Sequence, residues 1–443
     1  MNHEKLAKLI VEEAIKRGVE DVAVLNSLEK SRMVRFSNNE ITVVKSWKNL
    51  VTNLMIGKKN RVAVSSFSEI SFDKIKNNIQ DLVKIAESSK PKQDYVSLPT
   101  GPFKYESKQI DENLSSISVS ELINYSQRAI ESALDEGAKR VAGTLIFNHD
   151  DIVLSTSSKS FGRDRTQSLE IFVRSFITKE ASGQGISCST NKKDFNPDSA
   201  GLESAKIAKM AKNPKIISSG RYDVVFGPNI FANLMNNVMD AASAFNVDAG
   251  LSFLNDEIGS EVASSLLTII DDGTIVDGPN SRAFDDEGIP TKRTEVIEDG
   301  KLKSLLHNST TAKKFNTSST GNAGWIAPSD WNIIIKEGSC SENEIFEKLG
   351  KGLYITNNWY TRFQDYKNGD FSTVPRDGIF EIKNGKIASS VKNIRISDNM
   401  LRIIRNIKEI SDRRYWVRWW EVSTPTLTPY ALVEKVGITK SVF

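Results

Sequence analysis

Twice in its first half the chain runs through one order of elements, and this repetition constrains the fold more than any other feature. Leu6, Leu9, Ile10 and Ala14 recur at helical spacing and stop at Gly18, after which residues 22–25 read as a strand. Glycine suits the left-handed backbone that ends a helix, so the stop has a physical cause. Leu122, Ala129, Ile130, Ala133 and Leu134 make a second such face, Gly137 stops it, and Val141 opens a strand. Gly18 and Gly137 share one offset with Val22 and Val141. Each copy continues into hairpins, with turns expected at Asn38-Asn39 and at His149-Asp150-Asp151 and long strands over residues 50–56 and 169–177. A helix closes each copy. Ile75, Ile79, Leu82, Val83 and Ala86 form the first closing face, ended by Lys90-Pro91; Leu202, Ala205, Ala208 and Met210 form the second, ended by Asn213-Pro214. Residues 90–114, with Pro91, Pro99 and Pro102, read as the connecting loop. A duplicated helix and antiparallel-sheet domain is expected over residues 1–215.

A chain of 443 residues exceeds what one hydrophobic core usually supports, so a second domain is expected over 216–443. It opens with a strand at 222–226, turned by Gly227-Pro228 into a helix from about 231 to 244, and is otherwise β-rich. The fold class is therefore α+β, with two domains. Lys and Arg number 59 against 56 Asp and Glu, a net charge of +3, far from the strongly basic footprint of a dedicated nucleic-acid binder. Cys188 and Cys340 stand far apart without a CxxC spacing, which argues against a disulfide framework or a cysteine zinc site and fits a reducing, cytoplasmic setting. The start leads into an amphipathic helix without an apolar signal core, and no apolar run is long enough to span a bilayer.

Several spaced motifs lie in the second half: Ile-Asp-Asp-Gly-Thr at 270–274, Phe-Asp-Asp-Glu-Gly at 284–288, Ile-Glu-Asp-Gly-Lys-Leu at 297–302 and Ser-Thr-Gly-Asn-Ala-Gly at 319–324. Gly352-Leu-Tyr-Ile-Thr356, Gly369-Asp-Phe-Ser372, Ile382-Lys-Asn-Gly385 and Ser423-Thr-Pro-Thr-Leu427 follow in order. Together they resemble the TldD/PmbA family, which also carries the name "modulator of DNA gyrase", over roughly residues 220 to 440. The resemblance implies a relation to zinc peptidases. In the protease-type subunits the helix after the Gly-Pro turn carries His-Glu-x-x-x-His, two imidazoles for zinc and a glutamate as general base. Those three positions fall here on Asn236, Asn237 and Ala241, and no histidine lies between residues 150 and 306. An asparagine amide is a poor zinc ligand and no base, and alanine offers no donor atom. The protease-type cysteine ligand is missing as well, since residues 408–424 contain no cysteine. This agrees with the PmbA/TldE-like branch, the non-catalytic partner of a zinc-bearing TldD-like subunit. Two departures from the family pattern stand out: Thr373-Val-Pro-Arg-Asp-Gly378 in place of a small turn, and a bulky segment at 412–420 in place of a Gly-rich one.

Asp271-Asp272-Gly273 and Asp285-Asp286-Glu287-Gly288 could hold a divalent cation, but acidic residues before glycine are more often turn formers. His149 reads as a turn residue and His307 as a sheet-edge residue, neither with a second histidine at ligand spacing. There is no Gly-x-Ser-x-Gly elbow, and Gly183-Gln-Gly185 reads as a short flexible hairpin rather than a phosphate loop. Between Arg402 and Trp420, arginines alternate with Tyr415, Trp416, Trp419 and Trp420. That chemistry serves single-stranded nucleic acid or a protein interface, and the small net charge favours the interface.

The expected function is a non-catalytic subunit that pairs with a TldD-like His-Glu-x-x-x-His subunit, the partner holding the zinc, and helps keep an unfolded peptide extended for cleavage. Neither a metal nor another cofactor is expected in this chain. The resemblance implies a substrate channel lined by Asp285, Asp286, Glu287, Gly288, Thr320, Gly321, Asn322, Gly369, Asp370, Phe371 and Ser372. The alternatives are a homodimeric peptide-binding or regulatory protein, a peptidase with unusual ligands, or a nucleic-acid-associated modulator.

Overall fold

The computed structural model describes residues 2–68, 71–106, 110–255 and 257–441. Helix α1 (His3–Lys16) leads into β1 (Asp21–Ser37), β2 (Glu40–Lys58) and β3 (Arg61–Phe67), and α2 (Phe72–Ser88) closes the first copy. After the single turn α3 (Glu112–Ser115), α4 (Val119–Asp135) leads into β4 (Arg140–Thr156), β5 (Phe161–Phe176) and β6 (Ser182–Ser189), and α5 (Pro197–Met210) closes the second. Gly18 and Gly137 have φ of 73° and 108°, where a Cβ would be penalised. Asn38 and Asn39, both with positive φ, make the β1–β2 turn. The six strands form one antiparallel sheet, β3-β2-β1-β4-β5-β6. At its centre Lys30 of β1 stands opposite His149 of β4. These two residues are separated by the same offset as Gly18 and Gly137, so each copy meets the other at its own equivalent residue. The sheet has a pseudo-twofold axis there.

Two expectations for this half need correction. His149, Asp150 and Asp151 form no turn; they lie inside β4, paired with Lys30, Glu29 and Leu28 on one side and with Gln167, Thr166 and Arg165 on the other. The turn comes later, near Lys159, whose φ is 71°. Cross-strand partners hold these polar residues in extended form: Arg163 donates to both Asp151 oxygens at 3.1 and 2.8 Å. Gly183 and Gly185 lie within β6, not in a hairpin loop. A Cβ on either would stand 2.1 Å from the Ser204 carbonyl oxygen or 2.0 Å from that of Ala200, so the glycines admit the backbone of α5 against the strand. The expected connecting loop contains α3, and its residues 107–109 lie outside the described residues.

Alternation along the strands divides the sheet's two faces. Val22, Val24, Leu54 and Ile56 meet α1 and α2, while Val34, Phe36, Val141 and Leu145 meet α4 and α5. Ala23 and Leu25 turn the other way and are covered by Leu98, Ala283, Phe284 and Trp325. Segments of the second half thus close the sheet's far face.

The second half contains β7 (Gly220–Phe226), α6 (Pro228–Ala241), α7 (Ala244–Asp248), β8 (Ile269–Asp272), β9 (Arg293–Glu298), β10 (Lys301–Leu302), α8 (Ser309–Lys314) and β11 (Ile333–Ile335). It continues with α9 (Glu342–Leu349), β12 (Lys351–Asp365), β13 (Asp370–Lys383), β14 (Lys386–Ser390), β15 (Ile394–Asn399), α10 (Met400–Arg405), β16 (Ile407–Ile410), β17 (Tyr415–Trp419), β18 (Val422–Thr428) and β19 (Ala431–Lys440). One sheet runs β10-β9-β8-β11-β18-β17 and the other β12-β7-β19-β15-β13-β14, with β16 added on β19. Pairing of β12 with β13 closes five strands of the second sheet into a ring. Helix α6 is apolar nearly all round because it is packed on both sides. Phe231, Leu234, Met235 and Val238 join Ile269, Ile297 and Ile333 of one sheet to Val224, Ile355 and Ile396 of the other. The architecture is α+β. The helix starts and ends three residues earlier than expected; it stops at Ala241 because Ala242 and Ala244 exchange main-chain hydrogen bonds with Leu306 at 2.9 and 3.0 Å and Ser243 is extended.

Candidate functional site

The junction of β7 with α6 sets the site. Gly227 N donates to the Ile355 carbonyl at 2.9 Å, and Pro228 follows at the first helical turn, where its missing N–H costs nothing. The helix then brings Asn233, Asn236 and Asn237 to one side. The Asn236 amide nitrogen donates to Ala232 O (3.1 Å), Thr424 O (3.3 Å) and Thr426 Oγ1 (2.7 Å), and its oxygen accepts from Thr424 N (3.0 Å). The side chain is buried and stitches α6 to β18. Asn237 donates back to Asn233 O at 2.7 Å. The Asn233 side-chain oxygen accepts from Asn358 Nδ2 and Thr361 Oγ1, both at 2.7 Å, and its nitrogen reaches Glu421 O at 2.5 Å.

Zinc does not fit this set. Asn236 has both polar atoms committed to the fold, Asn237 carries no charge, and Ala241 has nothing to donate. Among the described residues no three His, Cys, Asp or Glu side chains come together as a metal would require. Cys188 and Cys340 are both buried thiols that burial pushes up, away from thiolate chemistry. Nearby, Asp240 is pushed up to about 7 by the surrounding protein and by Asp330, although its surface stays accessible and water there limits the effect. Truncating Asn236 to alanine leaves Thr424 N without its side-chain acceptor. The expected loss is about 1–3 kcal/mol in urea unfolding; a variant as stable as the parent would show that the α6–β18 stitch contributes nothing.

The acidic and Ser-Thr-Gly-Asn segments come together. Asp285 is fully buried; Oδ1 accepts from Glu287 N (3.0 Å) and Ile289 N (2.9 Å), and Oδ2 from Ala323 N (3.0 Å). Burial and the adjacent Glu287 hold its carboxyl well above the usual range. Glu287 accepts from Ser309 N at 3.0 Å and from the Ser309 hydroxyl, and Asp286 pairs with Arg282 at 3.3 Å. The Gly288 carbonyl accepts from Tyr105 Oη at 2.6 Å, which ties this loop to the first half. Thr320 Oγ1 accepts from His307 N at 2.8 Å, and the Gly321 carbonyl accepts from Trp331 Nε1 at 2.8 Å. Asn322, fully buried, donates to Asp271 at 2.6 Å and to Ser329 O at 2.9 Å. Asp271 lies in β8 and is not a turn residue; it also accepts from Trp331 N at 2.7 Å, whereas Asp272 makes the expected turn bond to Thr274 N at 2.7 Å. His307 is no sheet-edge residue either. It is buried just before α8, 3.3 Å from Thr311 Oγ1, and burial pushes it down to about 4.

The third segment lies apart, at the β12–β13 turn. Gly369 has φ of 80° and packs on Phe253, Asp370 accepts from Asn399 Nδ2 at 2.9 Å, Phe371 is buried, and Ser372 Oγ accepts from Arg395 at 3.1 Å. The basic, aromatic stretch from Arg402 to Trp420 is divided among α10, β16 and β17. Arg402 pairs with Asp398 (2.7 Å), Arg414 with Glu337 (2.9 Å) and Arg418 with Glu170 (3.1 Å), so these cations are matched within the chain. Trp419 is buried against Phe172, leaving Trp420, 55% exposed, and Tyr360, 43% exposed, on the surface. Two features had no signal in the sequence: the Asn233–Asn358–Thr361 network, and a cavity between α5 and β17, whose residues are scattered from 186 to 430.

A family model described as the PmbA/TldA metallopeptidase C-terminal domain matches residues 219–440, the half that holds α6 and both of its flanking sheets. The chain belongs to the TldD/PmbA family. Among its relatives, the metalloprotease of Methanothermobacter thermautotrophicus is 32% identical over 214 residues, 47% of this chain and 45% of that protein. The metalloprotease PmbA of Escherichia coli O157:H7 is 28% identical over 216 residues, 49% of this chain and 46% of that protein. The matches thus span about half the length of these curated relatives. The fold extends further: the crystal structure of TldE from Thermococcus kodakarensis covers 99% of both chains with a TM-score of 0.87 at 19% identity. The chain is a metallopeptidase-family protein with the whole TldE fold, and the described residues contain no helix long and apolar enough to cross a membrane.

Proposed function

We propose that this chain is the non-catalytic, PmbA/TldE-type subunit of a TldD/TldE-type zinc metallopeptidase. It pairs with a subunit bearing His-Glu-x-x-x-His, walls off that subunit's active site and helps hold an unfolded peptide in extended form. One observation carries the reading: where the protease-type helix carries a zinc-binding imidazole, Asn236 spends both of its polar atoms joining α6 to β18. In this reading residues 285–288 and 320–322 act from beneath the surface, keeping the loops around Trp331 in shape, and a peptide meets the more exposed ground above them. A reducing, cytoplasmic setting suits two buried, unpaired thiols.

The test is metal content and peptide hydrolysis of the purified chain, alone and mixed with the His-Glu-x-x-x-His subunit of the same cell. The expected result is no stoichiometric zinc and no cleavage alone, with cleavage in the mixture and co-elution of the two chains. Zinc at one equivalent with activity in the isolated chain would overturn the proposal.

A further inference from the structure

A cavity of about 380 Å³ opens between α5 and the second half of the chain. Glu203 and Lys206 reach it from α5, Tyr354 from β12, Tyr415 and Trp416 from β17, and Tyr430 from just before β19. The three tyrosines form a continuous wall, with Tyr430 ring centroids 6.2 Å from those of both Tyr354 and Tyr415. Glu342 of α9 accepts the Tyr415 hydroxyl, which fixes that ring and adds a second negative charge behind it. Arg413 lies over the Tyr415 ring, 6.0 Å from its centroid, showing that the ring system accepts a cation.

Glu203 has no ion pair or hydrogen bond among the described residues, and Lys206, one turn along α5, does not close on it. The surrounding protein and then Glu342 push the Glu203 carboxyl up, although its side chain stays accessible and water there limits the effect. A carboxylate and the faces of aromatic rings attract the same ligand, a cation, and repel an anion. One free carboxylate among phenols offers too few oxygens for a hard divalent metal, whereas the volume suits a small organic group.

We infer that this cavity is a binding site for an organic cation, an alkylammonium or guanidinium group that pairs with Glu203 and stacks among Tyr354, Tyr415, Trp416 and Tyr430. The inference does not rest on the subunit reading above.

Calorimetric titration of the full chain at pH 8 tests it, using butylammonium chloride, Nα-acetyl-lysine methylamide, Nα-acetyl-arginine methylamide and a blocked peptide with one central lysine. Saturable binding of the cations is expected, with the neutral Nα-acetyl-norleucine methylamide failing to bind. Glu203→Gln lowers affinity by about tenfold or more, the size expected for a charge-assisted contact. Because only the ionised carboxylate pairs with the probe, binding weakens as pH falls and Glu203 takes up a proton. Lys206, Glu342 and the hydroxyls of Tyr354, Tyr415 and Tyr430 are the other charged or titratable groups on this side of the cavity. A peptide that binds more tightly than butylammonium identifies the source as a basic side chain of a polypeptide; equal affinity identifies a free amine. Binding of norleucine methylamide as tight as that of the lysine probe, unchanged affinity in Glu203→Gln, or no saturable binding would each overturn the inference. Glu203 makes no bond that folding needs, so the variant keeps its structure.

Discussion

Replacing Asp285 with alanine is expected to cost about 3–5 kcal/mol of folding free energy, a large part of what holds an ordinary domain together. Three main-chain donors, of Glu287, Ile289 and Ala323, end on its two oxygens in a fully buried setting. Leaving a buried donor without an acceptor costs roughly 1–3 kcal/mol each, and partial relaxation keeps the total below the plain sum. Burial and Glu287 raise the Asp285 carboxyl, so the site gains from the geometry of two acceptor atoms more than from the charge. Asp285→Asn separates the two contributions. Its oxygen still serves Glu287 N and Ile289 N, but its amide nitrogen faces the Ala323 N–H, donor against donor, and a loss of about 1–3 kcal/mol is expected. Urea unfolding of both variants reads the difference directly. An alanine variant within about 1 kcal/mol of the parent would mean that water reaches and satisfies these donors.

Gly185→Val carries the second large effect. Its Cβ would meet the Ala200 carbonyl oxygen at 2.0 Å, and the obstacle is helix backbone, which cannot swing aside as a flexible side chain can. Overpacking of this kind costs about 1–3 kcal/mol and occasionally more, and the upper end is expected because α5 must move off the sheet as a unit. Since α5 also carries Glu203 and Lys206, the cavity beside it changes shape. Gly220→Ala serves as the control: its Cβ meets only Tyr222 at 3.6 Å, an ordinary contact, and a change within about 0.5 kcal/mol is expected. Thermal unfolding of the two variants should separate clearly. Equal melting would show that α5 is free to retreat from β6 at no cost.

What could be read from the sequence was local. Helix faces ending at Gly18 and Gly137 and the turn at Asn38-Asn39 rest on the backbone conformations of single residues, and they stand where expected. What was misread depends on residues far away in the chain. His149, Asp150 and Asp151 look like a turn because nothing near them reveals Lys30, Glu29 and Leu28 as strand partners. Gly183 and Gly185 look flexible until α5 is seen lying on them. Helix α6 was legible as an apolar helix, but its end was set by Leu306, more than sixty residues on. That positions 236, 237 and 241 hold Asn, Asn and Ala was visible from residue types alone, whereas the reason Asn236 suits its place appears only when β18 is beside it. Glu203 looked like any charged residue on a helix surface, since the rings that face it come from β12, β17 and the approach to β19.

The Lys30–His149 pairing has a further consequence. A contact in which each element meets its own counterpart across a twofold axis is the arrangement of an isologous dimer, here contained within one polypeptide. Two separate chains meeting in this way would associate to a degree set by their concentration. The segment between the copies makes the encounter intramolecular, at an effective concentration fixed by its own length. The central strand pair of the first half is therefore as complete in a dilute cell as in a crowded one.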